Sequence, residues 1–111
     1  MTIIRIDARR LTDAAGLHAA MAEAFGFPAT YGKNLDALVD CLTYLDNLKA
    51  GMSRVQVLPG EIVVLLLEHM TGLSKKALEQ VAALTDAVAF VNWRRLEKGQ
   101  PAVMAIAYSR G

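Results

Sequence analysis

The run Ile62-Val63-Val64-Leu65-Leu66-Leu67 sets six aliphatic side chains in succession between Glu61 and Glu68. A strand with one wet face alternates apolar and polar residues. An unbroken run of this length, bounded by charge, is what a strand covered on both faces of a parallel sheet requires. The run is far too short to span a bilayer. It is therefore expected to form the central strand of an α/β domain. Glu68 and His69 follow it directly, where α/β proteins often place functional groups, although no mechanism attaches to the pair.

Downstream, Ser74 opens a helical pattern through Ala77, Leu78, Val81, Leu84, Val88, Val91 and Leu96, closed by Gly99 and Pro101. The pattern is long enough for one helix, or for two joined near Thr85 and Asp86. Trp93 is expected to pack against the sheet, and Arg94 and Arg95 to occupy a solvated helix face. Ala102 to Tyr108 reads as the last strand. Upstream, Lys49 to Glu61 is a connection containing Gly51, Pro59 and Gly60, with a short extended piece at Val55 to Leu58. At the other end, Thr2 to Ile6 is a short β-branched run that reads as a first strand ending at Asp7. Thr12 or Asp13 caps a helix to about Ala24, with Leu17, Ala20, Met21, Ala24 and Phe25 on its apolar side and Gly26 as its stop. His18 and His69 carry no motif and read as surface or loop residues. Strands alternating with helices predict a small parallel sheet joined by right-handed crossovers.

The remaining stretch, Phe27 to Leu48, reads FPATYGKNLDALVDCLTYLDNL. Pro28 restricts the backbone, and Gly32 can take the left-handed conformation that a sharp entry to a helix demands. With Asn34 as N-cap, a helix through Leu48 places Asp36, Asp40, Thr43 and Asn47 within roughly 60° of one another. Leu35, Leu38, Cys41, Leu42, Leu45 and Leu48 form the opposite, apolar side. Asp36 sits in the first turn, where exposed N–H groups and the helix dipole favour a carboxylate. Asp40 sits mid-helix with no base at positions 36, 37, 43 or 44.

The run Tyr31-Gly32-Lys33-Asn34-Leu35-Asp36-Ala37-Leu38-Val39-Asp40-Cys41-Leu42-Thr43 closely resembles the barstar family of intracellular ribonuclease inhibitors. It matches the pattern Y-G-x-N-L-D-A-L-x-D-C-L-T at every specified position. Outside this run the similarity is architectural. The resemblance implies three parallel strands flanked by helices, in agreement with the periodicity. It also implies that the loop at 27–34 and the helix at 34–48 plug the cationic active site of a ribonuclease or related nuclease toxin, with Asp40 where an RNA phosphate would sit. Phosphate-binding clefts are lined with Arg, Lys and His, so a rigidly held carboxylate competes as a phosphate mimic. The partner-binding residues implied are Thr30, Tyr31, Gly32, Asn34, Leu35, Asp36, Val39, Asp40, Thr43 and Tyr44. Thr30 and Val39 stand where the family carries a tyrosine and a tryptophan. An acidic contact that the family makes from its last helix falls here near Asn92, Trp93 or Arg94.

The 111 residues, 54% hydrophobic and 21% charged, describe one globular domain over residues 1–111. Net charge is +1, but it is unevenly spread. Residues 34–48 hold Asp36, Asp40 and Asp46 without a base, whereas residues 92–111 hold Arg94, Arg95, Lys98 and Arg110 against Glu97 alone. The N-terminus lacks the pattern of a secretory signal, and one cysteine permits no internal disulfide, so a soluble, monomeric, cytoplasmic protein is expected. No P-loop, dinucleotide-binding glycine pattern or nucleophile with its base is present, and no cofactor is expected. The expected partner is a protein, with no direct nucleic-acid or membrane contact. Two other readings stay open. The same scaffold can serve as a non-inhibitory regulatory module, or Asp36 and Asp40 can share a divalent ion in a metal-dependent nuclease.

Overall fold

The computed structural model describes residues 1–111, the side chain of Leu48 excepted. Three strands, β1 (Thr2–Asp7), β2 (Val63–Glu68) and β3 (Met104–Tyr108), form one parallel sheet in the order β1-β2-β3. The register runs Thr2, Val63, Met104 at one end and Ile6, Leu67, Tyr108 near the other. β2 is thus the central strand, as its aliphatic run predicts. Coverage is different from the expectation. Val63, Leu65 and Leu67 are fully buried, but Val64 and Leu66 are only half-buried and Ile62 lies outside the strand and is exposed. Strand order follows chain order, and successive right-handed crossovers then lay every connection on the same side of the sheet. The other face, with Ile3 exposed and Arg5 paired to Glu68 at 3.0 Å, stays open.

The helices supply the covering layer. In α1 (Ala14–Phe25) the Asp13 carboxylate accepts from the Gly16 N–H at 2.7 Å, and Gly26 ends the helix in the left-handed region at φ 68°. A side chain at Gly26 would meet that of Arg54 at 2.7 Å, so glycine is needed both for its φ and for its small size. Leu17, Ala20, Met21 and Phe25 are buried as expected. His18 is not a surface residue: it is 4% exposed, between α1 and the loop that follows. The apolar flank of α1 is wide enough to take the imidazole because Tyr31 gives it a hydrogen-bond partner.

The segment Val55 to Leu58 forms no strand. The N–H groups of Arg54 and Val55 donate to the Phe25 carbonyl, and that of Val57 donates to the Leu45 carbonyl. The connection therefore packs across helix ends instead of extending the sheet.

The pattern from Ser74 resolves as one helix, α3 (Lys75–Glu97). Thr85 does not interrupt it, since its Oγ1 donates to the Val81 carbonyl one turn back at 2.9 Å. The covered stripe of α3 runs through Val81, Leu84, Val88, Val91 and Arg95. Trp93 lies on the far side of that stripe and is 57% exposed, not packed on the sheet, and Leu78 and Leu96 are likewise exposed. Arg95 is the reverse case. Expected in solvent, it is 2% exposed, because a carboxylate and two backbone carbonyls await it inside.

Candidate functional site

The loop at 27–34 is held by aromatic packing. Tyr31 stacks obliquely on Phe27 with ring centroids 4.9 Å apart, and its hydroxyl shares a 2.6 Å hydrogen bond with His18 Nδ1. Burial pushes the Tyr31 phenol up to about 12 and the imidazole below its ordinary value, so burial favours the neutral form of both groups. Pro28 closes a turn by accepting from the Tyr31 N–H at 2.9 Å. The left-handed residue is Lys33, at φ 56°, and not Gly32 as expected. Gly32 sits close to the helix instead: a Cβ there would come within 3.3 Å of the Ala37 Cβ, a tight approach as the loop folds against the helix that follows.

Helix α2 (Leu35–Thr43) begins as the sequence predicts, with Asn34 Oδ1 accepting from the Ala37 N–H at 2.8 Å. It ends five residues short of the expected Leu48. Tyr44 leaves helical geometry, and the freed Thr43 carbonyl accepts from Arg95 Nη1 at 2.7 Å. The same guanidinium donates twice to Asp46, at 3.1 and 2.6 Å, and its Nε donates to the Pro101 carbonyl at 2.8 Å. A buried base from α3 thus satisfies the orphan carbonyl that would otherwise prolong the helix. Leu48 belongs to a separate short turn, Leu48–Ala50, and its side chain lies outside those described.

The apolar side of α2 is as expected for Leu38, Cys41 and Leu42, all buried, and Leu45, just beyond the helix end, is buried as well. Cys41 is a free thiol whose pKa is raised by burial and secondarily by the Asp40 charge, which leaves it protonated. Leu35 departs from its expected place. It is 45% exposed, because it begins the helix beyond the edge of the core.

The ten residues implied as partner-binding fall into two groups. Thr30, Gly32, Asn34, Leu35, Asp36, Asp40 and Tyr44 are exposed along the loop, the helix and the residue that follows it. Tyr31 and Val39 are each 8% exposed and belong to the core, and Thr43 is half-buried with its hydroxyl donated to the Val39 carbonyl at 2.6 Å. These three hold the surface in shape and offer it little area. Among the described residues, neither Asp36 nor Asp40 has a Lys, Arg or His within 4.0 Å.

Beside Asp36 and Asp40 the structure opens a groove of about 450 Å³ between α2 and α3. Its α2 wall is Leu35, Asp36, Val39 and Asp40, and its α3 wall is Ala83, Asp86, Ala87, Phe90 and Arg94. Of these α3 residues only Arg94 was singled out from the sequence, beside the family's last-helix contact; Ala83, Asp86, Ala87 and Phe90 were not, yet the spacing of three, four, seven and eleven from Ala83 marks one helical stripe. Asp86 therefore brings a third exposed carboxylate toward α2. The Arg94 guanidinium lies 5.5 Å from the Phe90 ring centroid. Asn92 faces away: its amide donates to the Met104 carbonyl at 2.9 Å and accepts from the Val103 N–H at 3.0 Å, clamping α3 to β3. Trp93 packs near Phe90 with ring centroids 5.9 Å apart.

Among the described residues, no three His, Cys, Asp or Glu side chains are grouped so as to hold a metal ion, and no helix is long and apolar enough to cross a membrane. Glu68 and His69, at the strand end singled out above, are tied into the frame: Glu68 by Arg5, and His69 through its N–H to the Gly111 carbonyl. No curated protein sequence matches the chain. A family model described as barstar (barnase inhibitor) matches residues 1–106, nearly the whole length, and with the three-stranded parallel sheet and the capped 35–43 helix in place, the chain belongs to the barstar family.

Proposed function

We propose that this chain is a stoichiometric inhibitor of a ribonuclease or related nuclease toxin, acting as an immunity protein that closes a cationic active site. The observation that carries the reading is the state of Asp36 and Asp40. Both are exposed, both lack a basic neighbour among the described residues, and both ride on a helix fastened at each end. A carboxylate in that state keeps its hydrogen-bonding capacity for an incoming guanidinium or ammonium. Asp40 enters the subsite that binds a phosphate of RNA, and Asp36 with Asn34, Gly32 and Thr30 lines its mouth. Tyr44 and Leu35 add apolar area at either end of the acidic strip.

Binding alone blocks the enzyme, so no cofactor or covalent step is involved. Val39 and Thr30 shape the target preference, because smaller side chains there leave room for a partner surface bulkier than one matched to aromatic anchors. The test is Asp40→Ala, read by surface plasmon resonance and by residual RNA cleavage against a panel of secreted, cationic ribonucleases. For the cognate enzyme the complex weakens by at least about 2 kcal/mol, mostly through faster dissociation; barstar itself supplies the extreme of that hot-spot scale. Unchanged affinity would remove Asp40 from the mechanism.

A further inference from the structure

We propose that the outer face of α1, closed on one side by Lys33, is a binding site for a small monocarboxylate carried on an apolar stem. The site involves neither α2 nor α3, and it does not rest on the inhibitor reading.

A groove of about 520 Å³ runs along α1, lined by Ala14, Ala15, Ala19 and Ala22, and its polar lining is His18 and Lys33. That volume suits a small molecule. Alanine is an ordinary choice for a helix surface, so the row of methyl groups is not by itself a site. What distinguishes this face is the imidazole set into it. His18 is 4% exposed, and its Nδ1 is engaged by the Tyr31 hydroxyl. Its Nε2 has no partner among the described residues, yet none of their enclosed side-chain nitrogen or oxygen atoms lacks one. Nε2 is therefore not sealed in the core. It meets open space, and the open space that His18 lines is this groove.

The proton on that nitrogen follows from hydrogen-bond accounting. Burial favours the neutral ring, which has one donor and one acceptor nitrogen. The Tyr31 phenol holds its proton up to about 12 and, among the described residues, finds no acceptor other than His18 Nδ1. The reverse arrangement would strand a buried O–H. Tyr31 therefore donates to Nδ1, and Nε2 carries the ring hydrogen and presents it to the groove. Lys33 supplies the second donor. It stands exposed at φ 56° and makes no ion pair among the described residues. No acid lines the groove, and the neighbouring Asp13 carboxylate is turned back onto the Gly16 N–H.

Two donors, one neutral and one cationic, match the two oxygens of a single carboxylate. The alanine methyls beyond them offer only apolar contact, so they select a hydrocarbon stem and not a second charged group. A cation finds no side-chain acceptor here, and a polyanion finds a single positive charge.

The test is an NMR titration of the alanine-methyl- and ¹⁵N-labelled chain with hexanoate at constant ionic strength and about pH 7.5, above the ordinary imidazole pKa. Hexylammonium and acetate serve as matched probes of charge and stem. Saturable shifts are expected with hexanoate at the Ala15, Ala19 and Ala22 methyls and at His18 Nε2, and no saturation with hexylammonium. Acetate, lacking the stem, binds at least about tenfold more weakly. Lys33→Gln weakens hexanoate binding about threefold. Ala19→Leu, which fills the groove from its wall, abolishes saturation. In the free protein a long-range ¹H–¹⁵N spectrum shows His18 protonated on Nε2 and bare on Nδ1. A ring proton on Nδ1, no saturable shifts with hexanoate, saturation by hexylammonium, acetate binding as tightly as hexanoate, or hexanoate binding unchanged in either variant would each overturn the proposal.

Discussion

Arg95 joins three parts of the chain through one side chain: the end of α2, the turn at Asp46 and the backbone at Pro101. Its guanidinium is almost fully enclosed while the Asp46 carboxylate keeps 18% of its surface in water. Removing the base leaves that carboxylate and two carbonyls short of donors in a partly desolvated site. Arg95→Ala is therefore expected to cost about 3 kcal/mol, read as a lower midpoint in urea unfolding. His18 makes a different prediction. Burial lowers its pKa below 6.5, so the unfolded chain binds the proton more readily than the native one. Stability is complete above the unfolded value and declines as pH falls from about 6.5 toward the native pKa. His18→Gln should flatten that decline in unfolding free energies measured between about pH 7 and 5. A further loss comes at stronger acidity, where Asp7, held at about 2 by its hydrogen bond from Arg9, must be protonated.

At the level of elements, α2 owes its start to its own sequence and its end to another helix. The Asn34 cap acts within three residues, so it was legible before any fold was known. Asn34→Ala should lower stability by about 1 kcal/mol in thermal unfolding and blunt binding, because the first turn carries Asp36. The stop at Thr43 depends on a base 52 residues away and had no local signature. The same divide explains the other discrepancies. Periodicity identified the apolar residues of α3, but not which of them the sheet would cover, so Trp93 and Leu96, expected inside, lie outside, and Arg95, expected in solvent, lies inside. His18 has no local sign of its partner, since Tyr31 reaches it only after the loop has folded back. Asp40 was legible as an unpaired mid-helix acid. Asp86 gained meaning only when α3 was laid beside α2.

Across the whole molecule, charge is arranged by region and not by total. Three carboxylates face one groove while the net charge is +1. Association with a cationic enzyme should therefore be steered locally. Raising ionic strength from about 0.05 to about 0.5 M is expected to slow association at least tenfold in stopped-flow fluorescence, with dissociation changing much less. The strand order carries a consequence for how the chain reaches this state. Pairing β2 with β3 closes the segment 69–103, most of it helix, whereas pairing β1 with β2 closes the longer and more irregular segment 8–62. The shorter closure loses less chain entropy, so the carboxy-terminal unit is the natural nucleus. Helix α2 lies inside the longer segment, and its end is secured only when Arg95 is already in place. The α2 surface is thus the last part of the molecule to be secured, and on the inhibitor reading proposed above a nascent chain should engage no nuclease until its final strand has been made.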